Sequence, residues 1–255
     1  MAGARRNYIQ KTTGEKVPGV TTQLGVMAKP ALIFWGYKQG LFNYEELSKV
    51  IAKTLNDKKL EPEGKVELLL EMMAQFEVLG LYEKRDEAGN AGTLGHAFVE
   101  HHLRGLPDPD TKGLPKAIVD KAEGCFLTFL DWEKGRELEV LGSEIQVVSE
   151  KTPTGGTIDH LIRTALTKMI KGAVEILDIK TGKDIYLEAK IQVSKYGRVW
   201  EELYPDRPVK GYHILRLGPN GEFTHKFFPN LDGYDLIYEH CSEIYHLIRK
   251  LGERL

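Results

Sequence analysis

The stretch "EILDIKTGKDIYLEAKIQVSKY", residues 175–196, sets an acid, Asp178, and a base, Lys180, two residues apart at the end of an apolar run. Side chains alternate between the two faces of a strand, so Ile176, Asp178 and Lys180 point one way while Leu177 and Ile179 point the other. The acid and the base therefore share a surface. Asp159 follows the glycine pair of "GGTID", where the backbone can be approached closely or turn sharply, and Glu144 stands on the strand before. If these strands are neighbours, three carboxylates and a lysine converge at one end of a sheet. Clustered carboxylates repel unless a cation compensates them, and an oxygen-rich, open donor set suits Mg2+ or Mn2+, which bridge to phosphate. A lysine beside them can orient or deprotonate a water, or stabilise charge developing on a phosphate. The chemistry this predicts is metal-assisted phosphodiester hydrolysis.

A lone Asp-X-Lys also fits an exposed charge pair at a strand end. Gln192 argues for more. It interrupts an apolar helical stripe, where an amide without partners costs about 1–3 kcal/mol, so it needs a specific hydrogen-bonding task. Tyr196 lies one turn further along the same face.

These residues must be held by an α/β arrangement. Apolar residues recur at helical spacing from Tyr44 to about Leu81, interrupted by "NDKKLEPEG". "DEAGNAGTLGHAFVEHHLRG" reads as a turn feeding a helix that Thr93 caps, and "LPKAIVDKAEGCFLTFLDWEKG" as a helix with Pro115 near its first turn. The pattern then changes to strands in "ELEVLGSEIQVVSE", "GGTIDHLIRTAL" and "GAVEILDIK". A helix with Ile185, Ala189, Gln192, Val193, Tyr196, Trp200 and Leu203 on one broad face follows. A hairpin about Asn220-Gly221 and a closing amphipathic helix complete the chain.

At 255 residues and 42% apolar content the chain can bury a substantial core. It holds no run long enough to span a bilayer, and "MAGARRNYIQKTTGEK" lacks the apolar middle of a secretion signal, so a cytoplasmic address is expected. Cys125 and Cys241 are the only cysteines and stand far apart, which excludes a disulfide framework, a cysteine zinc site and a four-cysteine iron–sulfur cluster. With a formal charge of −2, a nucleic-acid partner would have to be held by a local basic patch. No G-x-x-x-x-G-K-[ST] loop is present, so no motor is built into this chain.

The ordered set "H…E…GGTID…DIKT…QVSKY" resembles the RecB-type branch of the PD-(D/E)XK nuclease superfamily, which includes phage exonucleases and the mitochondrial genome maintenance exonuclease. The resemblance runs from "PGVTTQLG" to the "QVSKY" helix and more weakly through the following hairpin. It implies a restriction-endonuclease-like core, a central mixed β-sheet flanked by helices, over residues 91–255, with residues 1–90 a mostly helical elaboration of the same single domain. It further implies that His96, Asp159, Asp178 and the Ile179 carbonyl bind one or two Mg2+ or Mn2+ ions. Lys180 matches the catalytic lysine, and Glu100 sits one turn after His96. Glu144 resembles the acid on the strand before the Gly-Asp motif. Gln192 and Tyr196 match a Gln-X-X-X-Tyr signature that supports the site and holds nucleic acid. Thr21, Thr22 and "KPALIFWGYK" resemble a Thr-rich N-terminal motif, where Lys29, Trp35, Tyr37 and Lys38 could meet a strand; a helix cap followed by core aromatics is the alternative. Lys183, Lys190, Lys195 and Arg198 form either a phosphate-tracking patch or ordinary solvated helix surface.

The expectation is a metal-dependent deoxyribonuclease acting on DNA, single- or double-stranded, with a free end, and an exonuclease rather than an endonuclease. Two alternatives stay open. One is a catalytically silent nucleic-acid-binding or recombination accessory protein of the same fold, and the other is a hydrolase of nucleotides or small phosphate esters.

Overall fold

Side-chain period two over three consecutive segments builds a meander that a helix then crosses. In the computed structural model, which describes residues 6–27, 48–57, 59, 61–76 and 79–253, the chain divides into two compact units. Residues 28–89 form one and residues 1–27 with 90–255 the other. Within residues 28–89 lie helix α2 (48–55), α3 (Pro62–Phe76) and the first turns of α4 (Leu79–Leu103). Pro62 opens α3 with Glu63 in its first turn, where a missing N–H costs nothing and a negative charge suits the helix dipole.

The larger unit opens with β1 (Tyr8–Ile9) paired antiparallel to β2 (Lys16–Val17), then a short helix α1 (Val20–Gln23) and a 3-10 turn, Leu24–Val26. After α4 come α5 (Lys116–Glu133), β3 (Glu139–Val148), β4 (Gly155–Arg163), the single turn α6 (Ala165–Lys168) and β5 (Val174–Lys180). Helix α7 (Leu187–Leu203), β6 (Val209–Leu217), β7 (Phe223–Phe228) and α8 (Tyr234–Lys250) follow. The sheet order is β3-β4-β5-β6-β7, antiparallel except for the β5–β6 pair, which runs parallel and needs α7 as its crossover.

Strand β5 is buried on both faces, as a central strand with helices on either side must be. Ile176 packs with Ile191, Val193, Trp200 and Tyr238 from α7 and α8. Leu177 and Ile179 pack with Cys125, Phe129 and Trp132 of α5 and Val99 of α4 on the other face. The alternation read from the sequence thus sends consecutive β5 residues into two separate cores. Asn220-Gly221 does form the β6–β7 hairpin: Gly221 has φ 88°, and the Gly218 N–H donates to the Glu222 carbonyl at 2.7 Å.

Two expectations fail here. Thr93 is not the N-cap of this helix but lies within it, because α4 already runs through "DEAGNAG". At the last residue of that stretch a Cβ on Gly92 would come within 2.7 Å of Thr181 Oγ1, and just beyond it one on Gly95 would come within 3.7 Å of Cys125 Cβ, so these two glycines let α4 lie close against its neighbours. Nor do Thr21 and Thr22 cap α1; Gly19 holds that position and both threonines lie exposed within the helix.

Candidate active site

The ladder between β3 and β4 runs almost their full length, whereas β4 pairs with β5 only over His160–Ile162 against Glu175–Leu177. Beyond Leu177 the two strands part, while β5 stays paired to β6 as far as Lys180. The Ile179 N–H, left without a strand partner on that side, donates to Asp159 Oδ2 at 2.9 Å. A residue's N–H and C=O point to the same edge of a strand, so the Ile179 carbonyl also faces the parting. The acid read from "GGTID" is placed here by strand separation.

On β5, Lys180 Nζ donates to Asp178 Oδ1 at 2.9 Å and stands 2.7 Å from Oδ2, off the direction of a hydrogen bond, which leaves Oδ2 buried without one. Lys180 Nζ also donates to Gln192 Oε1 at 3.3 Å, and Gln192 Nε2 donates to the Tyr196 hydroxyl at 2.8 Å. Gln192 therefore has the hydrogen-bonding task its place in an apolar stripe demanded. Tyr196 is buried, and its ring lies over Gly156, where an added Cβ would sit 2.3 Å from a ring carbon. Gly155 is covered in the same way by Tyr8. Gly156→Ala is therefore expected to destabilise the protein by about 1–3 kcal/mol through overpacking. A thermal melt unchanged from wild type would show that the ring does not rest on that glycine.

From the α4 side, His96 Nδ1 stands 3.5 Å from Asp159 Oδ2. His96, Glu100, Glu144, Asp159, Lys180 and Gln192 line one open cleft of about 500 Å³. Asp178 lies beneath it, 1% exposed under the Lys180 ammonium. Glu144 falls between the paired Ser143–His160 and Ile145–Ile158 positions, so it stands beside Asp159 in register. It has φ 54°, a left-handed conformation that a residue with a Cβ adopts at a cost of about 1–2 kcal/mol. Its carboxylate is paired with the Arg6 guanidinium.

Arg6 was not among the residues singled out by type and spacing. It reaches the cleft because the N-terminal arm docks on the β3–β4 turn: Gln10 Nε2 donates to the Ser149 carbonyl at 2.8 Å, and the Tyr8 hydroxyl lies 3.1 Å from Thr157 Oγ1. The dipeptide Arg5-Arg6 is the single cue in the sequence, and nothing local ties it to residue 144.

Burial raises the Asp178 carboxyl to about 7; Lys180 pulls against that rise and Asp159 adds to it. For Asp159 burial is outweighed by His96, Lys180 and the Ile179 N–H, which hold its carboxyl below the usual range. Burial also lowers His96 against the pull of Asp159. Lys180 is raised because Asp178 and Asp159 outweigh its own burial. As placed, the lysine is an ammonium at neutral pH.

Burial lowers His160 to about 4 as well. A histidine held neutral contributes stability that is fully present above its unfolded value of 6.5 and is lost as pH falls from there to about 4. Asp178, raised, works in the opposite sense over an overlapping range, so the test is differential. Between pH 6.5 and 4 the wild type should lose on the order of 3 kcal/mol more unfolding free energy than His160→Gln. Parallel stability curves for the two proteins would contradict this.

Two of the four basic residues on and near α7 are held in ion pairs. Lys195 is buried, with Nζ 2.6 Å from Glu239 Oε1 and over the Tyr238 ring, and Arg198 pairs with Asp235 at 3.0 Å and Asp232 at 3.2 Å. Their charge is committed to α8 and its leading loop, which the helical wheel of α7 alone could not reveal. Lys183 is exposed beyond β5, and Lys190 lies over the rings of Phe228 and Tyr234. Lys29, Trp35, Tyr37 and Lys38 lie outside the described residues. Among the described residues no three His, Cys, Asp or Glu side chains are grouped closely enough to hold a metal ion as they stand.

No protein-family model matches the chain, and no curated protein does. Among solved structures it is similar to one named "Putative exonuclease" from Eubacterium rectale, at 15% identity and a TM-score of 0.41, over 65% of this chain and 69% of that one. No described helix is long and apolar enough to cross a membrane.

Proposed function

We propose that this chain is a divalent-metal-dependent deoxyribonuclease of the PD-(D/E)XK superfamily, in its RecB-type branch, and that it hydrolyses phosphodiester bonds from DNA ends. The observation that carries this reading is the parting of β4 from β5. It brings Asp159, Asp178, Lys180 and His96, drawn from three elements, to one end of the sheet.

The donor chemistry fits a hard cation. Asp178 Oδ2 is buried beside a second acid, with the Lys180 ammonium 2.7 Å away but no hydrogen bond, and a divalent ion would add the coordination it lacks. Asp159, Asp178, the Ile179 carbonyl and His96 would hold Mg2+ or Mn2+, which when bound supplies charge stabilisation to the phosphate and lowers the pKa of water. This chain's own groups do the rest. Lys180 presents positive charge where a phosphate gains negative charge, Gln192 fixes the ammonium by its amide oxygen, and Tyr196 fixes Gln192. The resemblance to a branch that acts on ends favours exonuclease action.

End-labelled single- and double-stranded DNA, incubated with Mg2+, Mn2+ or EDTA, tests the reading. Shortened product with either ion and none with EDTA is expected; product that persists in EDTA, or absence of product with both ions, rejects it. The silent nucleic-acid-binding alternative draws on two observations: Lys180 already pairs with Asp178 and Arg6 with Glu144, and no three ligands are grouped among the described residues. DNA binding without product in the same assay would select it.

A further inference from the structure

Helix α8 is apolar on two opposite faces. Tyr238, Cys241 and Ser242 are buried, with Tyr238 and Cys241 in the core shared with α7 and the 3-10 turn. On the far side Ile237, Ile244 and Leu251 recur every seven residues, with His240 and Leu247 three residues after the first two. Ile237 is 38% exposed, Ile244 50%, Leu247 57% and Leu251 70%. A seven-residue repeat of this form is the seam of a two-helix coiled coil, and a stripe of four aliphatic side chains in water is an unmet packing demand.

The charges beside the stripe specify what covers it. Asp232 and Asp235 are committed to Arg198 and Glu239 to Lys195, so the acid left along the seam is Glu243, and Lys250 stands seven residues on. Among the described residues Glu243 is paired only with the solvent-exposed His240, at 3.5 Å. Laid antiparallel on a second α8, with Ile244 beside Leu247 of the other copy and His240 beside Leu251, the seam sets Glu243 against Lys250 twice over. A parallel pair would instead oppose Glu243 to position 248 and Lys250 to position 255. These are Ile248 and Leu255, so neither offers a counter-charge.

We propose that α8 is the interface of a symmetric dimer, formed antiparallel with a second copy of this chain along His240, Ile244, Leu247 and Leu251. The two-fold axis makes the contact isologous, so it closes without leading to filaments. This inference stands apart from the nuclease reading and survives or fails independently of any cleavage assay.

Sedimentation equilibrium of the full chain tests it. The wild type should sediment at twice its 28.8 kDa mass, and a monomer at concentrations up to about 100 µM overturns the proposal. The double variant I244E/L247E places four carboxylates in the seam and should weaken association by more than about 100-fold while circular dichroism stays as in wild type. A dimer indifferent to it overturns the proposal. E243K or K250E alone should each weaken association by roughly tenfold, and E243K/K250E together should restore it. Failure of the double charge swap to recover what the single changes lose overturns the antiparallel pairing.

Discussion

Lys180→Ala is expected to lower the rate of DNA cleavage by about 10²–10⁴-fold and to leave the fold in place, as removal of a positioned acid–base or charge-stabilising group does. The ammonium sits where the cleft meets the buried end of β5, its side chain 26% exposed, joined to Asp178 below and Gln192 beside it. Burial opposes its charge, but Asp178 and Asp159 outweigh that and raise its pKa above the ordinary 10.5. In the proposed reaction it would therefore meet a phosphate as a cation, and stabilisation of the transition-state charge would be its principal task. Loss of the lysine need not leave an uncompensated buried anion. Burial already brings Asp178 to about 7, so its carboxyl takes up a proton instead. Single-turnover cleavage of end-labelled duplex measures the effect, and equal rates in mutant and wild type would remove Lys180 from the mechanism.

The second large effect is expected at Asp159. Asp159→Asn keeps the shape and an oxygen to accept the Ile179 N–H, now held at 2.9 Å, but removes the negative charge. Cleavage should fall by about 10²–10³-fold, the scale of losing one preorganised electrostatic group. A readout besides activity separates loss of ion binding from loss of fold. In wild type, Mn2+ at about 100 times its Kd should add about 2.7 kcal/mol of stability, seen as a raised Tm, and the variant should lose most of that gain. If Asp159→Asn melts as wild type without metal and still gains the full Mn2+ shift, Asp159 is not a ligand.

Several parts of this architecture are legible before any coordinates. Asn220-Gly221 announces its hairpin because a left-handed turn residue is a local requirement. The alternation in "VEILDIK" sends Ile176 one way and Leu177 and Ile179 the other because strand geometry has a period of two. The glycine pair before Asp159 reads as close approach, and Tyr8 and Tyr196 do rest on Gly155 and Gly156. Gln192 reads as an amide needing partners, and it has them in Lys180 and Tyr196. By contrast, "DEAGNAG" reads as a turn by propensity and is helix, and at its last residue, Gly92, close approach of Thr181 leaves no room for a larger side chain.

What the sequence determined by itself is the chemistry on offer: two acids, a lysine, a histidine and an amide on elements whose periods are intrinsic to the backbone. Tertiary structure decided which charges are spent and which face the cleft. Lys195 and Arg198 look like a free basic stripe on α7, yet α8 supplies the acids that take them up. Arg6 enters the cleft only because a two-strand arm folds back across 138 residues of chain to Glu144. Pairing between groups so far apart depends on where strands diverge and helices dock, and no local preference encodes that.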